Sequence, residues 1–190
     1  MLPQATHQWT MEEAAHLVRR AAFGGTPKQI AAVHRMGREA AVESLLSPAE
    51  PLARFPLPEW ATTKVAPAIR SRFDRRREAL VGNSDLSPEE QEQARLKQQR
   101  DRQRESRQQL VEASQWWFAR MMESRAPLRE KMVLFWHDHF ATSARKVKLP
   151  TLVIHQNDLF RRYALGNFKQ LTHQVLQDPA MLLYLDVQTS

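Results

Sequence analysis

Residues 127-PLREKMVLFWHDHF-140 decide the fold class. A proline opens the stretch, where its fixed φ and missing N–H suit a first helical turn. The five apolar residues from Met132 to Trp136 show none of the apolar/polar alternation a half-buried strand needs. The spacing therefore predicts a helix from Pro127 through Phe140, apolar all round near its middle. At about 100° per residue, His137 and His139 point roughly 160° apart. His139 falls with Leu128, Met132 and Phe135, and His137 with Glu130, Val133 and Leu134. Both are expected to be at least partly covered. The projection sets His139 within the apolar face, as a structural residue, and leaves His137 as the better functional candidate.

Working outward, 135-FWHDHFATS-143 is the chemically densest part of the chain. One reading makes it the polar end of a core helix, with each imidazole bonding nearby carbonyls. The other lets the chain fold back after Trp136, so that neutral imidazoles carry protons or bind a divalent metal. For a metal, His137 with Asp158 is the leading pair, and His155, His173 and Asp178 are further ligand candidates. Ser143 and Lys146 have the S-x-x-K spacing of serine hydrolases that set a lysine beside the nucleophile. Such enzymes rest on a sheet, which this chain lacks. Arg145, Lys146 and Lys148 read better as a basic loop that meets an anion, or simply as a solvated turn.

Helix-start chemistry recurs elsewhere. Thr10 with Glu13, Thr26-Pro27 with Gln29, Ser87-Pro88 with Glu90 and Asn167 with Gln170 each set a capping oxygen three residues before a side chain that reaches back. Further helices are expected from Pro27 to Leu46 with a break at Gly37, from Ser87 to Glu123, from Pro150 to Leu165, and over 179–186. No alternating segment or hairpin dipeptide is found. The fold class is all-α: an irregular multi-helix domain with a long charged helix or insertion and no sheet. Its parts are N-terminal helices over 1–46, a Pro-rich connector over 47–67, a charged helical insertion over 68–113, and a helical core region over 114–190.

Composition bounds the function. The 190 residues are 42% apolar and 26% charged, an ordinary globular balance. With 28 Lys+Arg against 21 Asp+Glu the net charge is +7, which suits an acidic partner. Residues 97–109 (KQQRDRQRESRQQ) hold no apolar side chain and must be solvated; acids interleaved with the arginines, and no aromatic to stack on bases, argue against nucleic acid. The absence of cysteine excludes disulfides and thiolate chemistry, and five glycines make no phosphate-cradling loop. No run is long enough for a membrane span, and the first sixteen residues lack a secretory signal's apolar stretch. As written the chain reads as cytoplasmic; an export signal preceding it would place it in the cell envelope.

Three ordered stretches, 127-PLREKMVLFWHDHFATSARKV-147, 156-QNDLFRRYALGNFKQL-171 and 177-QDPAMLLYLD-186, together with 16-HLVRRAAFGGTP-27 and 37-GREAAVESLL-46, resemble the large bacterial family catalogued as domain of unknown function 1800. The resemblance implies a mainly helical protein, and since such proteins are typically more than twice this long, it implies an amino-terminal portion whose carboxyl-terminal remainder is its expected partner. It gives prominence to His137, His139, Ser143, Lys146, Asn157, Arg161 and Asn167 at matching positions, with Asn157, Arg161 and Arg145 as binding candidates. It brings no activity, only an association with envelope or polymer-related work. The sequence thus supports a helical enzyme portion with a His-containing polar or metal site of unknown substrate, or a non-catalytic helical scaffold that binds through its basic face.

Overall fold

The capping pairs set the helix starts. Thr10, Thr26 and Ser87 each accept from the backbone N–H three residues on, while Glu13, Gln29 and Glu90 reach back, closing three capping boxes. Asn167 caps with its side chain alone. The computed structural model of the chain describes residues 8–47, 51, 54–62 and 87–187. Among these, nine α-helices and no strand are present: α1 Met11–Ala21, α2 Pro27–Met36, α3 Arg38–Leu46, α4 Pro88–Glu123, α5 Pro127–His139, α6 Ala144–Val147, α7 Pro150–Tyr163, α8 Phe168–Leu176 and α9 Pro179–Tyr184. The all-α expectation holds. Positions 48–50, 52–53 and 63–67 of the connector, and 68–86 of the expected insertion, lie outside the described residues.

Gly37 is a full break: at φ +82°, a conformation costly for any side chain, it ends α2 and starts α3. The 141–148 segment, expected to be a loop, contains the single helical turn α6.

α7 is the central element. It packs against α4, α5, α6, α8, α9 and a 3-10 turn at Glu59–Ala61. Val133, Phe160, Ala164, Leu171, Val175 and Met181 make the main core, and Val147, Leu152 and Ala180 a smaller one. The N-terminal helices are fastened to this body by Lys131 of α5, whose ammonium donates to the carbonyls of Arg19 (2.9 Å) and Ala22 (2.7 Å) at the C-terminal end of α1. Lysine is suited to that position because the last carbonyls of a helix lack internal donors and carry partial negative charge. His34, which has no patterned partner in the sequence, meets Trp9: the indole donates to the His34 carbonyl at 3.0 Å, and the imidazole lies 3.2 Å from the Trp9 carbonyl.

α4 is the long charged helix. Trp60 donates to Glu112 and Trp116 to the Pro56 carbonyl, so the 54–62 segment straps its C-terminal part to the body. Its N-terminal part, including nearly all of 97–109, is exposed.

Candidate functional site

Where α4, α5, α7 and the strap meet, the structure buries charge. Glu130, in the first turns of α5, is 1% exposed, and Arg161, in the last turn of α7, is 2% exposed. Each sits at the helix end whose dipole favours its charge. They form a two-pronged pair, Arg161 Nε donating to Glu130 Oε1 at 2.7 Å and Nη2 to Oε2 at 2.9 Å. Arg161 Nη2 also donates to Asn157 Oδ1 at 2.8 Å, and Nη1 approaches Asp158 to 3.8 Å. A second buried guanidinium, Arg120 from the last turn of α4, brings Nε to 3.5 Å from Glu130 Oε1 and donates from Nη1 to the Phe55 carbonyl at 2.9 Å. Both guanidinium carbons lie about 5 Å from the centre of the Trp116 ring, within reach of cation–π attraction.

Two guanidiniums thus share one carboxylate. Burial, and then repulsion from Arg161, push the pKa of Arg120 down, against the opposing pull of Glu130. Asp158 carries the second negative charge, and Arg162 ion-pairs with it. Among the described residues, Asn157 Nδ2 and Arg120 Nε are buried donors without a hydrogen-bond acceptor. The arrangement locks α4, α5 and α7 together: Glu130, Arg120 and Arg161 spend their charges on one another at almost no exposure.

The residues singled out in the sequence are dispersed by the fold. Asn157, Asp158 and Arg161 belong to this cluster; the histidines do not. His137 is half-buried with its ring 5.1 Å from Trp117 and 6.3 Å from Phe160, and burial lowers its pKa. His139, expected inside the apolar face, is exposed, beside Phe135, Trp136 and Phe140. The reversal has a plain cause. α5 is apolar all round at 132–136, so the projection finds the faces but not which one meets α7, and Val133 at 0% exposure shows it is the Glu130/Val133/His137 face. Glu130, seen in projection beside His137, is committed to the two arginines.

Lys146 Nζ lies 2.6 Å from Asp186 and over the Tyr184 ring, so its charge is directed away from a serine-hydrolase pairing with Ser143. Ser143 precedes α6 and makes no side-chain cap; Arg145 is exposed. Asp158 is taken by Arg161 and Arg162, and among the described residues no group of three or more His, Cys, Asp or Glu side chains is placed to hold a metal ion. Asp178 caps α9 and accepts from Gln156 Nε2 at 2.7 Å; burial raises its pKa, against the hydrogen bonds from Met181, Gln156 and Ala180. Sequence reasoning does not single out Arg120 or Trp116, although a lone cation inside 116-WWFARMM-122 is a signal of a buried, ring-stacked guanidinium.

A different arrangement faces solvent at the end of α5. Phe135 (51% exposed) contacts Trp136, with ring centres 4.8 Å apart, and Trp136 stacks at 5.7 Å on Phe168 (55% exposed) of α8. His139 stacks on Phe135 at 5.9 Å. Trp136 is fixed by its indole bond to the Ala164 carbonyl, 3.1 Å.

A family model described as "Protein of unknown function (DUF1800)" matches residues 16–190, a span that includes every member of the buried cluster and the exposed aromatic group. The chain belongs to the DUF1800 family. No curated protein and no solved structure matches it.

Proposed function

We propose that this DUF1800 member acts by binding, as a non-catalytic helical scaffold that docks a protein partner on the aromatic face of α5 and α8. The observation that carries this reading is the group of exposed Phe135, His139 and Phe168 around the half-buried Trp136, whose ring contacts all three, on two helices. Contiguous exposed aromatics mark interaction surfaces, because they bury large area at little cost in side-chain entropy. The Glu130 cluster serves that surface by fixing α5 against α7. The test is binding of a hydrophobic dye under native conditions. Wild type is expected to bind dye while unfolding cooperatively, and F135S/F168S to lose most of that binding with little change in stability. Cooperative unfolding without dye binding refutes the reading.

A second reading, a helical enzyme portion working through His137, draws on the lowered pKa of that residue. It leaves a neutral imidazole near pH 7, the form that accepts a proton or ligates a metal. Zinc titration of wild type and H137A decides it: loss of binding in the variant supports an imidazole site, and equal or absent binding refutes a metal role.

A further inference from the structure

Sequence order conceals how the charges of α4 are disposed. The helix holds seven basic and seven acidic residues, interleaved along the chain. Wound at about 100° per residue, they separate from Lys97 onward. Lys97, Arg100, Arg104 and Arg107 fall within about 40° of one line, and Asp101, Glu105 and Glu112 lie about 80° to 120° away from it. Val111, Phe118 and Met122 continue the same line toward the C-terminal end. Trp116, Trp117 and Arg120, which hold α4 to the body, lie on the far side, so along most of its length the line faces away from the other described elements. All seven of its residues are exposed, Val111, Phe118 and Met122 by 56%, 61% and 67%. None of the four cations is in an ion pair with a described residue. Met122 also borders an open groove of about 500 Å³ with Phe23, itself 41% exposed, which widens the apolar end.

We infer that this outward line of α4 is a docking surface for an anionic phospholipid bilayer, independent of the aromatic face on α5 and α8. The cationic part, about 15 Å long, meets lipid phosphates, and the apolar part, about 17 Å long, enters the acyl boundary. A planar, anionic surface with an apolar interior satisfies both halves at once. Duplex nucleic acid matches the cations but leaves Val111, Phe118 and Met122 against water. A second copy sets arginines against arginines or against Val111 and Phe118; from Lys97 onward the line holds no carboxylate to meet them, and Glu89 near its start is a single one against four cations. No described helix is long and apolar enough to cross a membrane, so the contact is with its surface.

The test is cosedimentation of the full chain with phosphatidylcholine vesicles, with and without phosphatidylglycerol. Binding is expected only with the anionic lipid. It should weaken as salt rises from about 0.1 M to about 1 M, which shortens the Debye length from about 10 Å to about 3 Å. R100Q/R104Q should lower partitioning about 25-fold, at about fivefold per cation near the surface. R95Q/R102Q makes the same change in charge on the opposite side of the helix, about one Debye length further from the lipid, and should cost less than about threefold. F118S/M122S should also weaken binding. Equal losses in the two arginine pairs, no loss in F118S/M122S, or equal binding to vesicles without phosphatidylglycerol overturns the inference. So does tighter binding to duplex DNA or soluble polyglutamate than to vesicles. F135S/F168S should bind vesicles as wild type does, which separates this surface from the protein-docking face.

Discussion

Glu130→Gln changes a charge with scarcely a change of volume, and the buried cluster sets its cost. The carboxylate accepts both prongs of Arg161 and faces Arg120 at 3.5 Å. Glutamine keeps one acceptor, turns the other into a donor aimed at guanidinium N–H groups, and leaves two buried cations without their counter-ion. Breaking a buried pair from one side costs about 3–5 kcal/mol, since the remaining charge stays desolvated. At about 2–4 °C per kcal/mol for a chain of this size, the melting temperature should fall by about 6–20 °C. Arg161→Met should cost about as much. Arg120→Met should cost less, about 1–3 kcal/mol: it forfeits the bond to the Phe55 carbonyl but removes a guanidinium whose charged form burial and Arg161 already disfavour. Denaturant unfolding at constant slope measures all three. An E130Q protein within about 1 kcal/mol of wild type, or an R120M protein less stable than E130Q, would show that the cluster does not hold the helices together.

His137 makes stability fall in mild acid. Its folded pKa lies below that of the unfolded chain, so the unfolded state binds the extra proton; the stability it contributes is complete above the unfolded value, about 6.5, and is lost as pH falls from there toward the folded pKa. H137L should flatten this part of the stability profile, and an unchanged slope would contradict the burial. Asp178 has the opposite sign: its folded pKa is raised, so its contribution is lost as pH rises from its unfolded value through the folded one. D178N should accordingly flatten the profile there, while D178A should lose about 1 kcal/mol with the cap of α9, as thermal melts across pH will tell. Replacing 97–109 by a flexible linker should move the melting temperature by less than about 2 °C, because nearly all of its side chains are exposed; a larger drop would mean that it docks.

Local chemistry is the legible part of this chain. Thr10, Thr26 and Ser87 with their reciprocal partners sit within a few residues of what they satisfy, so the helix starts read directly from the sequence. Gly37 is legible for the same reason. The polar cluster is not, because Glu130 and Arg161 are 31 residues apart and Phe55 and Arg120 are 65 apart, and no local pattern joins them. Asn157, Asp158 and Arg161 stand out in the sequence as site residues, yet the fold makes of them an internal clamp rather than an open centre. Burial of His137 rather than His139 is beyond the reach of an apolar-all-round helix, whose inward face is chosen by α7. The basic line on α4 is present in the sequence throughout, but reading acids and bases in chain order hides what the helical period separates.

Among the described residues, only about the last four turns of α4 are strapped to the body. The 22 residues before them, at about 1.5 Å each, make an arm of about 33 Å. Such an arm amplifies. A tilt of about 5° at Arg120, about 48 Å from Pro88, carries the tip through about 4 Å, so a small repacking around Glu130 becomes a displacement longer than a hydrogen bond. The pivot is a pair of arginines sharing one carboxylate, and the helix that emerges from it works as a pointer whose direction the buried charges set.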